Sequence, residues 1–108
     1  MKVVLYFKQF RLGELTYVNG EYVYNSCLEG EKQAKMFPSM LLYGLENSKD
    51  LKSDKLFEVF KVTRDNISVR QDILTDIGYV EGDDDFTMLA KYGKVKQNDF
   101  KFHIVTEE

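Results

Sequence analysis

Few side chains in this chain are equipped for chemistry, and their spacing decides what they could do. There is one histidine and one cysteine in 108 residues. His103 lies between Phe102 and Ile104, on the opposite strand face from both. Nucleophilic catalysis needs a base and an orienting group in fixed mutual geometry, and one histidine with one cysteine offers no such set. Cys27 is followed by Glu29 and Glu31, acids that disfavour the thiolate a nucleophile needs. Glu81 and Asp83-Asp84-Asp85 gather four carboxylates, the one cluster with metal-binding potential. Consecutive residues point in different directions, however, and the ligand order of a calcium loop is missing. Acids at a helix start cap its free N–H groups and complement the macrodipole, which is the role expected here. Gly78-Tyr79-Val80-Glu81-Gly82 lacks the Lys-Ser/Thr that completes a phosphate loop. No HRD or DFG triplet occurs. The expectation is a protein without catalytic residues, cofactor or metal, and so not an enzyme.

The totals narrow the class further. At 108 residues the chain is one ordinary domain, 1–108. Hydrophobic residues make up 44% and charged residues 31%, a globular balance. Seven Tyr and eight Phe can fill a core that needs no disulfide, and a lone cysteine suits a reducing compartment. No apolar run reaches membrane length, and Met1–Phe7 lacks a signal-peptide cleavage site. A cytoplasmic location is expected, which leaves the Asn66-Ile67-Ser68 sequon unused. The formal charge is −3, and lysines 32, 35, 49, 52, 55 and 61 are interrupted by acids. No basic stripe results, so direct nucleic-acid binding is not expected.

The elements that must position these residues follow from the apolar pattern. Lys2–Phe7 is nearly continuously apolar, as in a strand buried on both faces. Gln9–Gly13 breaks it. Glu14–Val18 and Glu21–Asn25 alternate around Asn19-Gly20, whose residues tolerate the positive φ of a type I′ turn. Residues 26–37 read as a loop ending at Pro38, 39–43 as a short apolar stretch, and 44–53 as a polar, flexible connection. A helix is expected over Asp54–Lys61 and a clearer one over 65–77. The second has Val69, Ile73, Leu74 and Ile77 inward, Ser68-x-x-Gln71 as capping box and Gly78 as terminator. Asp83–Asp85 opens a third helix with Phe86, Leu89 and Ala90 inward, stopped by Gly93. Residues 94–105 close the chain as a strand with Phe100, Phe102 and Ile104 alternating. The fold class is α+β: a small antiparallel sheet with an N-terminal hairpin, packed against two or three short helices.

With these elements placed, a family likeness emerges. The run KLFEVFKVTRDNISVRQDILTDIGYVEGDDDFTMLAKYG, 55–93, resembles the N-terminal subdomain of HipA-type toxin kinases. Phe57, Arg70, Ile73, Leu74, Asp85, Phe86, Leu89, Ala90 and Gly93 stand at that family's positions. The front half is similar too, through Gly13-Glu14-Leu15, Gly20, Tyr22, Tyr24 and Pro38. Val59–Thr63 replaces the family's NLLPE hinge, and 93–99 replaces its GRDCAGA segment. A HipA protein continues into a kinase core where this chain reaches Glu108. A free-standing subdomain looks like the HipS-like antitoxins of HipBST-type toxin–antitoxin systems. The resemblance implies a bacterial accessory subunit that docks on a separate HipA-like Ser/Thr kinase and restrains it. It also admits a helix-turn-helix DNA-binding protein in the same complex. The alternative is a free-standing accessory or mobile-element-encoded domain that binds an unrelated protein. A small-molecule or enzymatic domain stands third, lacking a convergent titratable set.

The expected contact surface is the helix over 54–61, with Leu56, Phe57, Val59 and Phe60 as partner-binding residues. A surface helix buries one stripe of about 100° or somewhat more, and Val59 projects about 100° from Phe60. The helix is thus apolar over more of its circumference than its own core requires. The opposite possibility, that all four residues pack inside, is open at this point.

Overall fold

The computed structural model describes residues 1–27, 29–30, 50–95 and 102–108. Strands β1 (Lys2–Phe7), β2 (Phe10–Val18), β3 (Glu21–Ser26), β4 (Asp50–Ser53) and β5 (Phe102–Glu107) form one sheet. Its order is β4-β3-β2-β1-β5, and every neighbouring pair is antiparallel. Three helices from the second half pack on one face: α1 (Glu58–Ser68), α2 (Gln71–Ile77) and α3 (Asp85–Val95). The fold is α+β, as the sequence pattern predicts. Among the described residues no helix is long and apolar enough to cross a membrane.

Strand β1 is buried on both sides. Val3, Leu5 and Phe7 join the core beneath the helices, while Val4, also fully buried, faces the other way. Asn19 (φ 52°) and Gly20 (φ 77°) make the turn between β2 and β3, with Val18 opposite Glu21. Two positive φ values identify the type I′ hairpin that Asn-Gly favours. The break expected over Gln9–Gly13 is shorter in fact. The chain turns at Lys8 and Gln9, and Phe10 already pairs with Phe7. Gly13 lies inside β2 because Tyr24 and the Asn25 carbonyl occupy the space where a Cβ would project, a recognised reason for glycine in a strand.

The polar connection expected over 44–53 ends in a strand. Asp50–Ser53 pairs with β3, and Leu51, its one apolar residue, packs half-buried against the core. Of the loop expected over 26–37, Ser26 belongs to β3 and Glu29 and Gly30 are helical, while 31–37 lies outside the described residues, as do Pro38, the stretch 39–43, 44–49 and 96–101.

The helices are displaced from their expected bounds. The first begins at Glu58 rather than Asp54, because Phe57 is extended (φ −66°, ψ 148°) and serves as N-cap. It runs on to Ser68, so the single helix expected over 65–77 is divided at Val69 and Arg70. Ser68 forms no capping box; its hydroxyl donates to the Asp65 carbonyl at 3.0 Å. Val69, expected inside, is 79% exposed. Ile77 is buried and Ile73 and Leu74 pack half-buried on the core. Gly78 ends α2 in the left-handed region (φ 76°). Its N–H donates to Thr75 O (3.2 Å) and that of Tyr79 to Leu74 O (2.9 Å), the two bonds of a Schellman ending.

Gly93 does not stop α3. The helix continues to Val95, and Gly93 is buried where Thr106 of β5 leaves no room for a Cβ. The glycine serves close helix–strand approach instead of termination.

Candidate functional site

Of the four residues expected to meet a partner, two belong to the interior. Phe60 is fully buried and Val59 is 4% exposed. Phe60 lies against Tyr24 with ring centroids 6.0 Å apart. A partner role for Val59 and Phe60 is therefore corrected to a core role. Since α1 starts at Glu58, Leu56 and Phe57 are outside the helical wheel, and the apparent excess of apolar circumference disappears. Val59, Phe60 and Ile67 all point into the core. Phe57 is half-buried, edge-on to Tyr24 at 6.3 Å. Of the four, Leu56 lines an open cleft among the described residues.

That cavity is a cleft of about 410 Å³ between β3, the β4–α1 connection, α1 and the start of α3. Leu56 and Tyr22 supply its apolar surface. Lys55, Lys61 and Arg64 face Asp54, Glu58 and Asp85 around it, so its side-chain charges cancel. Glu58, Lys61 and Arg64 follow one another at three-residue spacing, which sets them along one side of α1. Arg64 Nη2 reaches Asp65 at 3.2 Å, and its Nε stands 3.8 Å from Asp85 Oδ1. That Nε is buried without a hydrogen-bond partner among the described residues, so Asp85 faces it beyond bonding distance. Burial pushes the Tyr22 hydroxyl up to about 12, with Asp85 adding to the effect. Tyr22 also packs on Tyr17 at 4.4 Å, and Tyr17 stacks on Phe86 of α3 at 6.1 Å. The cleft can hold a side chain that is partly apolar and partly polar. Sequence reading missed Tyr22, Lys61, Arg64 and Asp85; the Glu58, Lys61, Arg64 spacing was the available signal, and it reads equally as a solvated helix face.

The acidic triplet splits into separate structural tasks. Asp83 Oδ2 accepts the Val80 N–H at 3.0 Å and pairs with Lys91 Nζ at 2.6 Å. Lys91, then that N–H, hold the Asp83 carboxyl below its usual range. Asp84 Oδ1 accepts the Thr87 N–H at 2.8 Å, capping α3. Asp85 turns to Arg64. Among the described residues no group of three His, Cys, Asp or Glu is placed to hold a metal ion.

His103 stacks on Tyr6, with centroids 5.3 Å apart and ring planes within 7°. It lies on the sheet face away from the helices, near an ionic cluster that spans three strands. There Arg11 donates to Glu107 (2.8 Å) and Glu14 (2.6 Å), and Lys2 pairs with Glu14 at 2.8 Å. Lys2, then Arg11, hold the Glu14 carboxyl below its ordinary range, and Arg11 does the same for Glu107. Cys27 is half-buried, and its N–H donates to Leu12 O at 2.7 Å.

Comparison with family models, curated proteins and solved structures gave no match.

Proposed function

We propose that this chain is a non-enzymatic, cytoplasmic protein-binding domain that docks on a separate HipA-like Ser/Thr kinase and restrains it, as HipS-like antitoxins do. The observation that carries the docking reading is Leu56, a partly exposed apolar residue on the wall of an open cleft rimmed by charged side chains. An apolar centre within a polar rim is the usual anatomy of a protein interface. The choice of a kinase as partner comes from the resemblance over 55–93 and the front half of the chain. Restraint works by preferential binding to an inactive arrangement of the kinase or by covering its active face. A helix-turn-helix protein is the further partner that such a complex would include.

The test is functional. A short HipA-like kinase is expressed with and without this chain, and phosphotransfer by the purified kinase is measured. The chain is expected to suppress phosphotransfer at stoichiometric concentration. Undiminished phosphotransfer despite saturating chain would refute the reading and favour the alternative, an accessory domain for an unrelated protein.

A further inference from the structure

The turn between β2 and β3 brings together two residues that can react with each other. Asn19 and Gly20 form it with positive φ values of 52° and 77°. Both are exposed, and a Cβ built on Gly20 would meet nothing within 4 Å. The Asn19 carboxamide makes no hydrogen bond among the described residues, and the Gly20 N–H donates to no main-chain carbonyl there. Beside the turn, Val18 pairs with Glu21 and is 57% exposed, so this last pair opens at little cost. The other described asparagines are held differently. Asn25 lies inside β3, paired with Glu14 on one side and Asp50 on the other. Asn66 lies inside α1 and is followed by the buried Ile67, whose branched side chain crowds the nitrogen next to it.

We propose that Asn19 is a site of spontaneous deamidation and isomerisation, a covalent modification carried by the hairpin turn itself. The Gly20 nitrogen gives its proton to hydroxide, attacks Asn19 Cγ and closes a cyclic imide. The C–N bond of the carboxamide breaks, and its nitrogen leaves as ammonia. Water then opens the ring. Cleavage on the Cγ side gives aspartate and cleavage on the main-chain side gives isoaspartate, with no oxidant or reductant involved. Asparagine is a thermally labile residue, and glycine presents the attacking nitrogen without a Cβ beside it. Ring closure swings that nitrogen toward the carboxamide, which the closed turn resists, so opening of the hairpin end sets the rate. The two products differ in consequence. Asp-Gly keeps a type I′ turn, whereas isoaspartate adds a carbon to the backbone of a two-residue loop. The pairs Val18–Glu21 and Tyr17–Tyr22 then loosen, and Tyr22 is part of the cleft wall. Neither step depends on what docks in the cleft.

The full folded chain is incubated at mildly alkaline pH, and peptide mapping by mass spectrometry follows each asparagine. Asn19 should convert at least about tenfold faster than Asn25 and Asn66, because its neighbour is glycine and its pairing opens most readily. Isoaspartate should exceed aspartate, and the rate should rise in proportion to hydroxide. Asn19→Gly keeps a type I′ turn as Gly-Gly and removes the reactive amide. The acidic forms that ion exchange resolves in the ageing parent should be largely lost in this variant. In the isolated isoaspartyl chain, the Tyr17 and Tyr22 amides should exchange hydrogen faster than in the parent, with β1 unchanged. Asn19 intact after Asn25 or Asn66 has reacted, or undiminished acidic forms in Asn19→Gly, overturns the site. Parent-like exchange at Tyr17 and Tyr22 in the isoaspartyl chain overturns its reach to the cleft.

Discussion

The hydroxyl of Thr106 donates to the main-chain carbonyl of Ala90 at 2.6 Å, at the point where Gly93 brings α3 against β5. A helix and the last strand are thereby joined by a hydrogen bond and by the absence of a side chain. Gly93→Ala places a methyl against Thr106, with backbone in the way, and overpacking of this kind costs about 1–3 kcal/mol. Thr106→Val removes the bond and should cost about 1 kcal/mol. Urea unfolding of the three proteins measures both. A Gly93→Ala protein as stable as the parent, as a simple helix-terminating glycine would allow, contradicts the close-approach account.

Acid stability should depend on Arg11. Arg11 and Lys2 depress the carboxyls of Glu14 and Glu107 in the folded state. A depressed carboxyl contributes stability above its unfolded value, near 4.5, and loses it as pH falls through the lower folded value. The urea midpoint should therefore be flat with respect to these groups above about pH 5 and decline below it. Arg11→Gln should shallow that decline, and 1 M salt should blunt it by screening. Equal acid slopes in parent and variant would show that the cluster contributes nothing measurable.

Core and surface roles in the α1 region can be separated by truncation. Phe60 is fully buried, and Phe60→Ala should cost about 3–5 kcal/mol. Lys61→Gln at the adjacent position should change stability by less than about 0.5 kcal/mol. Thermal unfolding by circular dichroism distinguishes them. A stable Phe60→Ala protein would return that residue to the surface role that its sequence context suggested.

Legibility from sequence followed the strength of local chemistry. Asn19-Gly20 was readable because a two-residue turn has specific φ requirements, and Gly78 because it follows an apolar repeat. Gly13 and Gly93 carry the same letter but answer to Tyr24 and Thr106, neighbours distant in sequence, so they read as breaks. Strand β4 was hidden because Leu51 is its single apolar residue and pairing with β3 supplies the rest. Residues 54–57 read as helix because Leu56, Phe57 and Phe60 match helical spacing, yet the extended Phe57 turns that spacing into coincidence. The cleft was illegible for a related reason. Tyr22 and Asp85 meet Lys61 and Arg64 only after β3, α1 and α3 are assembled, and none of these residues carries a motif.

Docking through the cleft is the central claim, and calorimetric titration of a short HipA-like kinase with this chain and with its Leu56→Ala variant tests it most directly. Leu56 is half-buried at the cleft, so its truncation should cost about 2 kcal/mol of binding, as for a residue at the centre of an interface. Its unfolding midpoint should change little, since half of the side chain is already outside the core. A complex that weakens roughly thirtyfold in the variant, a change of about 2 kcal/mol, supports the account. No heat of binding with the parent chain, or equal affinity for parent and variant, contradicts it.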